Sequence, residues 1–463
     1  RPEDRVAVKP HASPVFHAIM YLLGRQTQEK MQDFRALGGV QSYPSRTKDT
    51  NDVDFSTGSV GLGVATTLFA SLIQDYTLAH GQMAEGVRKG RMVALMGDAE
   101  LDEGNVFEAL LEGWKQKVGN LWWIIDYNRQ SLDGVINEFL FTKIQDFFGT
   151  MDWNVVTLKY GKKLEAAFKG PAGEALMHWI DECPNDLYSA LTFKGGPAWR
   201  DHLKRDLRGT SGLNLLLDSH DDEGLHTLMT NLAGHDMESI LEAFYAADQE
   251  DQPQCFVAYT IKGFGMPLQG HKDNHAGLMS PEQMAEFKEH MKVSDGEEWD
   301  RFAGLSSDAR ELSNFLETVP FAASGERGHN SPKVHIPQRF ETKPTERAAT
   351  QFAFGQILYD IARHDDALAD AIVTTSPDVT VSTNLGPWVN QKGIFNRIER
   401  ADVFREEQVA SAQKWVRTQK GKHFELGIAE NNLFLMLSAA GLSEPLFGAR
   451  VLPIGTLYDP FVN

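Results

Sequence analysis

The sequence predicts an α/β protein of two domains, each with a mainly parallel sheet between helices. Residues 92–130 carry two short apolar runs on either side of an amphipathic helical pattern. Residues 423–440 carry another short strand pattern, which leads through a glycine into a helical pattern. Between these two segments, residues 322–332 are rich in glycine, serine and other polar residues, which is typical of a linker. A chain of 463 residues is also long enough for more than one domain.

The composition argues against several classes of partner. The formal net charge of −19 disfavours binding to nucleic acid and to an anionic membrane surface. No apolar run approaches the length of a transmembrane helix, and no signal peptide opens the chain. The two cysteines, Cys183 and Cys255, have no metal-binding or redox spacing and are expected to be structural. We therefore predict a cytoplasmic protein with no nucleic-acid partner and no membrane partner.

Both ends of the sequence are abrupt. It begins at Arg1 without a methionine, and its last residues, 459–463, read as the middle of a domain. We therefore expect this sequence to be part of a longer polypeptide.

The first elements place a histidine and a glycine-rich loop next to strand and helix ends. An alternating pattern predicts a strand over residues 5–9, and a helix is predicted over residues 15–23. The turn between them carries His11, although a single histidine is more often a surface or capping residue. The charged segment 46–54 is predicted to be solvated. Residues 56–63 are glycine-rich and open a helix, where backbone N–H groups suit an anion or a ring.

Residues 92–130 predict a β-α-β unit. Residues 93–96 and 121–125 read as buried strands, and a connecting helix between them implies a parallel pair. The helix is indicated by apolar residues at a spacing of four with two more beside them, namely Val106, Leu110 and Trp114 with Phe107 and Leu111.

The two strands of this unit end next to polar residues. Gly97-Asp98 follows the first strand, and Asn128 follows the second. Ligands of parallel sheets bind beyond the carboxyl ends of the strands, so we expect Asp98 and Asn128 at one site. One carboxylate and one amide oxygen suit a magnesium or calcium ion that also holds a phosphate. The alternative is that Asp98 caps a helix and Asn128 lies in a turn.

The remaining elements are predicted from the same patterns. Residues 193–211 are expected to form a polar, mobile loop, and Asp236 is expected to cap the helix that follows it. A boundary near residue 335 divides the chain into domains 1–334 and 335–463. Further strands are predicted over residues 153–158, 254–261, 371–374 and 423–427, and a helix is predicted to begin at Thr345.

Two motifs make the sequence resemble a known enzyme family. Gly97-Asp98-Ala99, followed after residues 100–127 by Asn128, resembles the thiamine diphosphate motif, with Ala99 in place of its last glycine. Gly-Ile-Ala-Glu at residues 427–430 resembles a second motif of the same proteins. The flanking sequence is similar to the homodimeric first components of 2-oxoacid dehydrogenase complexes, of the pyruvate dehydrogenase type, and more distantly to transketolase. The resemblance extends over the whole chain and implies two thiamine diphosphate-binding-fold domains.

The resemblance implies a set of cofactor ligands. Asp98, Asn128 and the backbone carbonyl of Gln130 would bind Mg²⁺. Glu430 would hydrogen-bond the aminopyrimidine ring of thiamine diphosphate and act in catalysis. The first domain would therefore hold diphosphate and metal, and the second the aminopyrimidine ring. Further cofactor contacts are expected at Ser59, Val60, Gly61, Leu62, Gly97, Ala99 and Glu100.

The resemblance also implies catalytic histidines. His11 lies in a His-x-Ser-Pro context similar to that of an active-site histidine in the family. In the loop 270–277, His275 matches the family's histidine best, and His271 is the second choice. His235 lies in a Gly-His-Asp sequence that the family shares, but we expect a structural role there because Asp236 makes a good helix cap.

The function implied by the resemblance is oxidative decarboxylation of a 2-oxoacid, pyruvate or similar, dependent on thiamine diphosphate and Mg²⁺. The acyl group would pass to a lipoyl group of a partner acyltransferase. The site would form in a homodimer, with Asp98 and Asn128 from one protomer and Glu430 from the other. The family has a further pocket histidine upstream of Arg1 and a third domain beyond Asn463. Two alternatives stay open: ketol transfer of the transketolase type, which needs a basic pocket for sugar phosphates, and a non-catalytic assembly subunit.

Overall fold

The computed structural model describes most of the chain, namely residues 1–49, 52–58, 60–131, 134–135, 140–250, 252–323, 327–340, 347–364, 366–377 and 379–458. Within these residues it contains two five-stranded sheets and one two-stranded sheet. In chain order the strands are β1 (Arg5–Val8), β2 (Met92–Gly97), β3 (Leu121–Tyr127), β4 (Gln130–Ser131), β5 (Gly134–Val135), β6 (Asn154–Leu158), β7 (Gln254–Tyr259), β8 (Ile372–Ser376), β9 (Ile394–Phe395), β10 (Arg417–Thr418), β11 (His423–Glu425) and β12 (Leu452–Gly455).

Helices cover both large sheets. No helix among the described residues is both long enough and apolar enough to cross a bilayer. In chain order the helices are α1 (Ser13–Leu22), α2 (Gln28–Gln32), α3 (Leu62–Ala79), α4 (Gly104–Gln116), α5 (Leu140–Thr150), α6 (Lys162–Phe168), α7 (Gly173–Glu182), α8 (Asn185–Lys194), α9 (Gly196–Asp206), α10 (Leu213–Asp218), α11 (Asp222–Met229), α12 (Met237–Ala247), α13 (Pro281–His290), α14 (Ala309–Thr318), α15 (Pro320–Ala323), α16 (Thr350–His364), α17 (Asp366–Ala371), α18 (Gly386–Lys392), α19 (Val403–Glu406), α20 (Glu430–Gly441) and α21 (Ser443–Phe447).

The first sheet has the strand order β1-β2-β3-β7-β6, and every neighbouring pair is parallel. β2 pairs with β1 on one side and with β3 on the other, so three strand ends that are distant in sequence lie side by side. The apolar runs of these strands are covered by helices, as is typical of parallel sheets. The predicted α/β class with parallel sheets is confirmed.

The predicted β-α-β unit is present as β2, α4 and β3. Val106 and Leu110 of α4 are fully buried and pack in the same apolar cluster as α3. Trp114 differs from the simple spacing pattern, because it is 41% exposed and its Nε1 donates to Asp152 Oδ2 at 2.7 Å. The face of α4 that carries Trp114 also leaves Phe107 and Leu111 partly exposed.

The expectation of a polar, mobile loop over residues 193–211 is wrong. Most of this segment is α9, which follows α8 after Gly195, a residue with φ of 83°. Trp199 of α9 is 0% exposed, and Arg200 donates to the carbonyl oxygens of Leu217 and His220, each at 2.7 Å. The many charged residues of this segment do not suggest a helix, but α9 is anchored by the buried side chains of Trp199 and Leu203.

The prediction that residues 46–54 are solvated is also wrong at the end of that segment. Asp54 is buried and accepts hydrogen bonds from the backbone N–H of Val6 at 2.9 Å and from Arg5 at 3.4 Å. Arg327 lies 3.2 Å from the same carboxylate. Arg5 also donates to the carbonyl oxygen of Leu446, at 3.0 Å. This buried ion cluster ties β1 to the segment after α15 and to the end of α21.

The second sheet has the order β10-β9-β11-β8-β12 and is also parallel. α20 packs against α3 of the first sheet's layer, and one buried apolar cluster contains residues from both sheets. The helix predicted from Thr345 begins at Thr350, and Thr345 itself lies outside the described residues. The described residues between α15 and α16 form neither helix nor strand, as expected for a linker. The boundary near residue 335, between domains 1–334 and 335–463, stays a prediction.

Candidate functional site

One edge of the first sheet gathers the polar side chains that follow its strands. Lys9 comes after β1, Asp98 after β2, Asn128 after β3, and Thr260 after β7. These four strands are parallel neighbours, so their carboxyl ends meet at this edge. Asp98 and Asn128 are therefore brought to the same edge, as the sequence predicts. The backbone N–H of Arg129, next to Asn128, donates to Asp98 Oδ2 at 3.1 Å.

Asp98 is a buried carboxylate held by backbone groups. It is 3% exposed, and its Oδ1 accepts a hydrogen bond from the N–H of Ala99 at 2.9 Å. Burial raises the pKa of Asp98 to about 6, against the effect of the Arg129 N–H and with the help of the negative charge on Asp126. No ion pair in the described part of the chain involves Asp98. A bound cation would therefore stabilise its ionised form.

Asn128 and Gln130 form the second part of the predicted metal site. Asn128 Oδ1 accepts a hydrogen bond from the N–H of Gln130 at 3.0 Å, so the predicted turn exists. Arg129 between them has φ of 64°, which brings its N–H to Asp98 and directs the chain back into β4. The Gln130 side-chain Oε1 is buried without a hydrogen-bond partner among the described residues.

The donor set fits a hard divalent cation. One carboxylate, one amide oxygen and one backbone carbonyl are the oxygen ligands that Mg²⁺ accepts while it keeps waters and substrate phosphate. The described residues hold no cluster of three or more His, Cys, Asp or Glu residues suited to a metal. That result does not bear on the predicted set, because only Asp98 in it is one of these residue types. The metal ligands therefore stay a prediction with suitable chemistry.

The glycine-rich segment is joined to β2 through Glu100. The Glu100 carboxylate accepts the N–H of Gly61 at 3.2 Å and the N–H of Gly97 at 3.0 Å. Gly61 has φ of 68° and precedes α3, and Asn105 Nδ2 donates to the carbonyl of Val60 at 3.0 Å. The side chains that are partly exposed for a ligand are those of Val60 and Leu62. Ser59, the remaining predicted contact in this segment, lies outside the described residues.

His11 and His275 lie side by side. Their ring centroids are 5.2 Å apart, and Lys262 Nζ is 2.9 Å from His275 Nδ1. Burial lowers the pKa of His11, and the nearby charges of Lys9, His275 and Lys262 act in the same direction. His271, the second choice, instead packs on Phe193 with centroids 4.6 Å apart, and its Nδ1 accepts the N–H of Asp273 at 3.1 Å. His275 is thus next to His11, whereas His271 caps a short turn; the catalytic roles stay predictions.

His235 supports the loop after β7. Its ring stacks on Phe264 at 3.9 Å, and its Nε2 accepts the N–H of Ile261 at 2.8 Å. Burial lowers the pKa of His235 to about 4. Asp236 caps α12 by accepting the N–H of Ser239 at 3.0 Å, which confirms the capping prediction.

An ion pair between Lys9 and Asp126 lies at this edge and was not predicted from the sequence. Lys9 Nζ contacts Asp126 Oδ2, and the Thr260 hydroxyl donates to Asp126 Oδ1. Burial alone would raise the pKa of Asp126, but the charge and hydrogen bond of Lys9 and the hydroxyl of Thr260 outweigh it and lower that pKa. In the sequence, Lys9 and Asp126 each lie two residues before a predicted site residue, His11 and Asn128, but this spacing does not show that the two are neighbours.

Glu430 belongs to an element outside the first sheet. It occupies the first turn of α20, where the helix dipole favours a carboxylate. α20 packs on α3, α4 and the second sheet, and Asn432 Nδ2 donates to the carbonyl of Glu108 at 3.2 Å. Among the described residues, Asp98 and Asn128 form hydrogen bonds with Ala99, Arg129 and Gln130, and none with Glu430.

Residues 3–170 match the family model described as transketolase, thiamine diphosphate binding domain. The matched range includes β2, β3 and the strand ends that carry Asp98 and Asn128. The first part of the chain is therefore similar to the thiamine diphosphate-binding domain of transketolase. The matched range contains β1, β2, β3 and β6 but not β7, so Thr260, Lys262 and His275 lie outside it.

Relatives and solved structures agree with this assignment. The pyruvate dehydrogenase E1 components of Cupriavidus necator and Mycobacterium tuberculosis are each 26% identical to this chain over 99% of its length, which is 52% and 51% of theirs. The chain thus spans about half the length of the curated relatives it matches. The transketolase of Pichia stipitis (R525L mutant) has a TM-score of 0.63 at 16% identity, over 100% of this chain and 58% of its own. The transketolase of Campylobacter jejuni has a TM-score of 0.60 at 17% identity, over 99% of this chain and 57% of its own. These structural likenesses establish the fold.

Proposed function

We propose that this chain binds thiamine diphosphate with Mg²⁺ at the carboxyl edge of its first sheet and takes part in decarboxylation of a 2-oxoacid, pyruvate or similar. The observation that carries the proposal is Asp98, a buried carboxylate without an ion-pair partner in the described residues, at the end of β2 inside the matched thiamine diphosphate-binding range. The names of the curated relatives, pyruvate dehydrogenase E1 component, support the choice of substrate class.

In this proposal the first sheet binds the charged end of the cofactor. Asp98, Asn128 and the carbonyl of Gln130 hold Mg²⁺, which offsets the repulsion between a diphosphate and a chain of net charge −19. The Gly61 loop is held by Glu100, and Val60 and Leu62 in it would contact the ring system of the cofactor. Thiamine diphosphate supplies, when bound, an electron sink for the electron pair that decarboxylation releases.

The protein's own proton-handling groups complete the proposal. Glu430 would share a proton with the aminopyrimidine ring, and His11 and His275, whose rings lie side by side, would hold protons and the substrate carboxylate. Glu430 lies on α20, which packs on α3, α4 and the second sheet, and it is proposed to reach the cofactor of a second copy, which would make the active unit a homodimer. A cytoplasmic location and acyl transfer to a lipoyl group of a partner acyltransferase belong to the same proposal.

A second candidate function is ketol transfer between sugar phosphates, as in transketolase. Two observations favour it: the structural neighbours named above, and four basic side chains at the edge, Lys9, His11, Lys262 and His275. Both candidates need the same cofactor site, so they differ only in the substrate and in the acceptor of the transferred group.

The test is calorimetric titration of thiamine diphosphate into the full-length protein, with and without Mg²⁺. We expect Mg²⁺-dependent binding in the wild type and its loss in Asp98→Asn. Asp102→Asn is the matched control, because Asp102 is an exposed acid in the same short 3₁₀ segment, and it should bind like the wild type. Absence of binding in the wild type would leave the non-catalytic subunit as the alternative.

Turnover then separates the two enzymatic candidates. Reduction of a lipoyl acceptor or an artificial electron acceptor with a panel of 2-oxoacids supports the decarboxylase. Transfer of a two-carbon unit between sugar phosphates, without carbon dioxide release, supports the transketolase-type reaction instead.

A further inference from the structure

The side chain of Lys9 crosses the end of the strand that leads to Asp98. Lys9 follows β1, and its ammonium contacts Asp126, near the end of β3. β2 lies between these strands, so the side chain passes over the carboxyl end of β2. A Cβ atom built on Gly97 would lie 3.8 Å from Lys9 Nζ. The ammonium is therefore fixed above Gly97, one residue before the proposed metal ligand.

Only one N–H donor of the Lys9 ammonium has an acceptor among the described residues. An ammonium carries three N–H donors, and one of them is taken by Asp126. The Lys9 side chain is only 9% exposed, and Nζ has no other hydrogen-bond acceptor in the described part of the chain. Burying donors without acceptors costs free energy. The remaining donors are thus suited to an anionic ligand at this edge.

The charges around Lys9 explain why a fixed cation is needed. Three acids, Asp98, Glu100 and Asp126, lie near the end of β2. Asp98 and Glu100 are buried, the Asp126 side chain is 24% exposed, and the positive charge of Lys9 acts to lower the pKa of each. Their combined field repels an anion. A phosphate can approach only where a cation faces it, and Lys9 is a cation that the chain itself holds at this point.

We propose that Lys9 is a ligand of the phosphate groups that bind at this edge: Nζ donates to a phosphate oxygen beside Asp98, while Asp126 orients the ammonium. The inference rests on the proposed function, because it assigns one more residue to the diphosphate of the same cofactor. Asp126 holds the side chain extended across β2, so little rotamer freedom remains to be lost on binding. Thr260 in turn fixes Asp126 from β7.

The test compares three variants, Lys9→Met, Asp126→Asn and the double variant Lys9→Met/Asp126→Asn. The probes are Mg²⁺ with thiamine diphosphate and Mg²⁺ with inorganic pyrophosphate, titrated by calorimetry into the full-length protein. Loss of a charge-assisted hydrogen bond predicts binding about tenfold to 100-fold weaker in both variants that lack Lys9. Asp126→Asn keeps the ammonium but loses the charge that orients it, so binding should weaken less than in the two variants that lack Lys9.

The double variant decides between ligation and simple neutralisation. It removes both charges of the Lys9–Asp126 pair. No Asp126 carboxylate is left without its partner, so the folded state is not destabilised by an unpaired charge. If Lys9 served only to neutralise Asp126, the double variant would bind both probes like the wild type, and that result would overturn the inference. A wild type that binds neither probe would instead overturn the proposed function, and the inference with it. Thermal unfolding of each variant verifies that the folded state is retained.

Discussion

His423 is a buried histidine whose neutral form the fold requires. Its Nδ1 lies 2.9 Å from Thr374 Oγ1 and its Nε2 lies 3.2 Å from Thr380 Oγ1, inside the second sheet. Burial lowers the pKa of His423 to about 3, and the charge of Arg417 adds to this effect. The imidazole is thus a packed polar group with two hydroxyl partners, far in sequence from the proposed cofactor ligands of the first sheet.

This burial predicts a stability that falls with acid. Between the ordinary pKa of about 6.5 and the lowered value, the unfolded chain binds a proton that the folded chain does not. The stabilisation is therefore complete above pH 6.5 and is lost as the pH falls, by about 2 kcal/mol between pH 6.5 and 5. Urea unfolding at several pH values measures it, and His423→Gln should show a shallower slope. Equal slopes in the two proteins would contradict the assignment.

The residues at the candidate site were only partly predictable. Asp98 and Asn128 follow apolar runs, so their positions at strand ends could be inferred from spacing alone. The Lys9–Asp126 pair could not, because it depends on β1 lying beside β2, and nothing in the sequence near Lys9 states which strand is its neighbour. The same limit applies to His11 and His275, which are brought together by β1 and β7.

The turn into α3 depends on Gly61. Its φ of 68° is unfavourable for residues with a Cβ atom, and a Cβ there would lie 2.6 Å from Val106 Cγ2. Its N–H is one of the two backbone donors that Glu100 holds. Any side chain at position 61 would therefore push the loop away from α4 and weaken the link between the loop and β2.

Gly61→Ala should destabilise the protein more than Gly81→Ala does. Gly81 has a similar φ, 66°, but nothing lies within 4 Å of its Cβ position, so it serves as a control for backbone strain alone. Strain costs about 1–2 kcal/mol in both variants, and overpacking adds about 1–3 kcal/mol at position 61. Urea unfolding measures the difference, and Mg²⁺-dependent cofactor binding should weaken in Gly61→Ala alone. If Gly61→Ala and Gly81→Ala destabilised the protein equally, the contact between residue 61 and Val106 of α4 would have relaxed without a cost in free energy.

Elements with strong apolar patterns were predictable, and those stabilised by distant contacts were not. β2, α4 and β3 follow from runs of apolar residues at strand and helix spacing. α9 escaped prediction because Trp199 and Leu203 are its only large buried side chains among many charges. The burial of Asp54 could not be predicted because its ion-pair partners, Arg5 and Arg327, are distant in sequence.

The two sheets behave as one folded body within the chain. α20 packs on α3, and apolar residues of both sheets share one buried cluster. Near the start of α20, Asn432 donates to the carbonyl of Glu108 in α4. In the proposed homodimer, a complete cofactor site takes Asp98 from one copy and Glu430 from the other.

Shared sites predict complementation between two inactive variants. Asp98→Asn and Glu430→Ala should each be inactive alone as homodimers. Co-expressed, they form mixed dimers in which one site has Asp98 from one protomer and Glu430 from the other, both intact. Random pairing leaves about a quarter of the sites intact, because half of the dimers are mixed and each has one good site. Decarboxylation by the purified mixed dimer, carrying two different affinity tags, measures this directly. If Asp98 and Glu430 of one chain served the same site, every site in the mixed dimer would lack one of them and no activity would return.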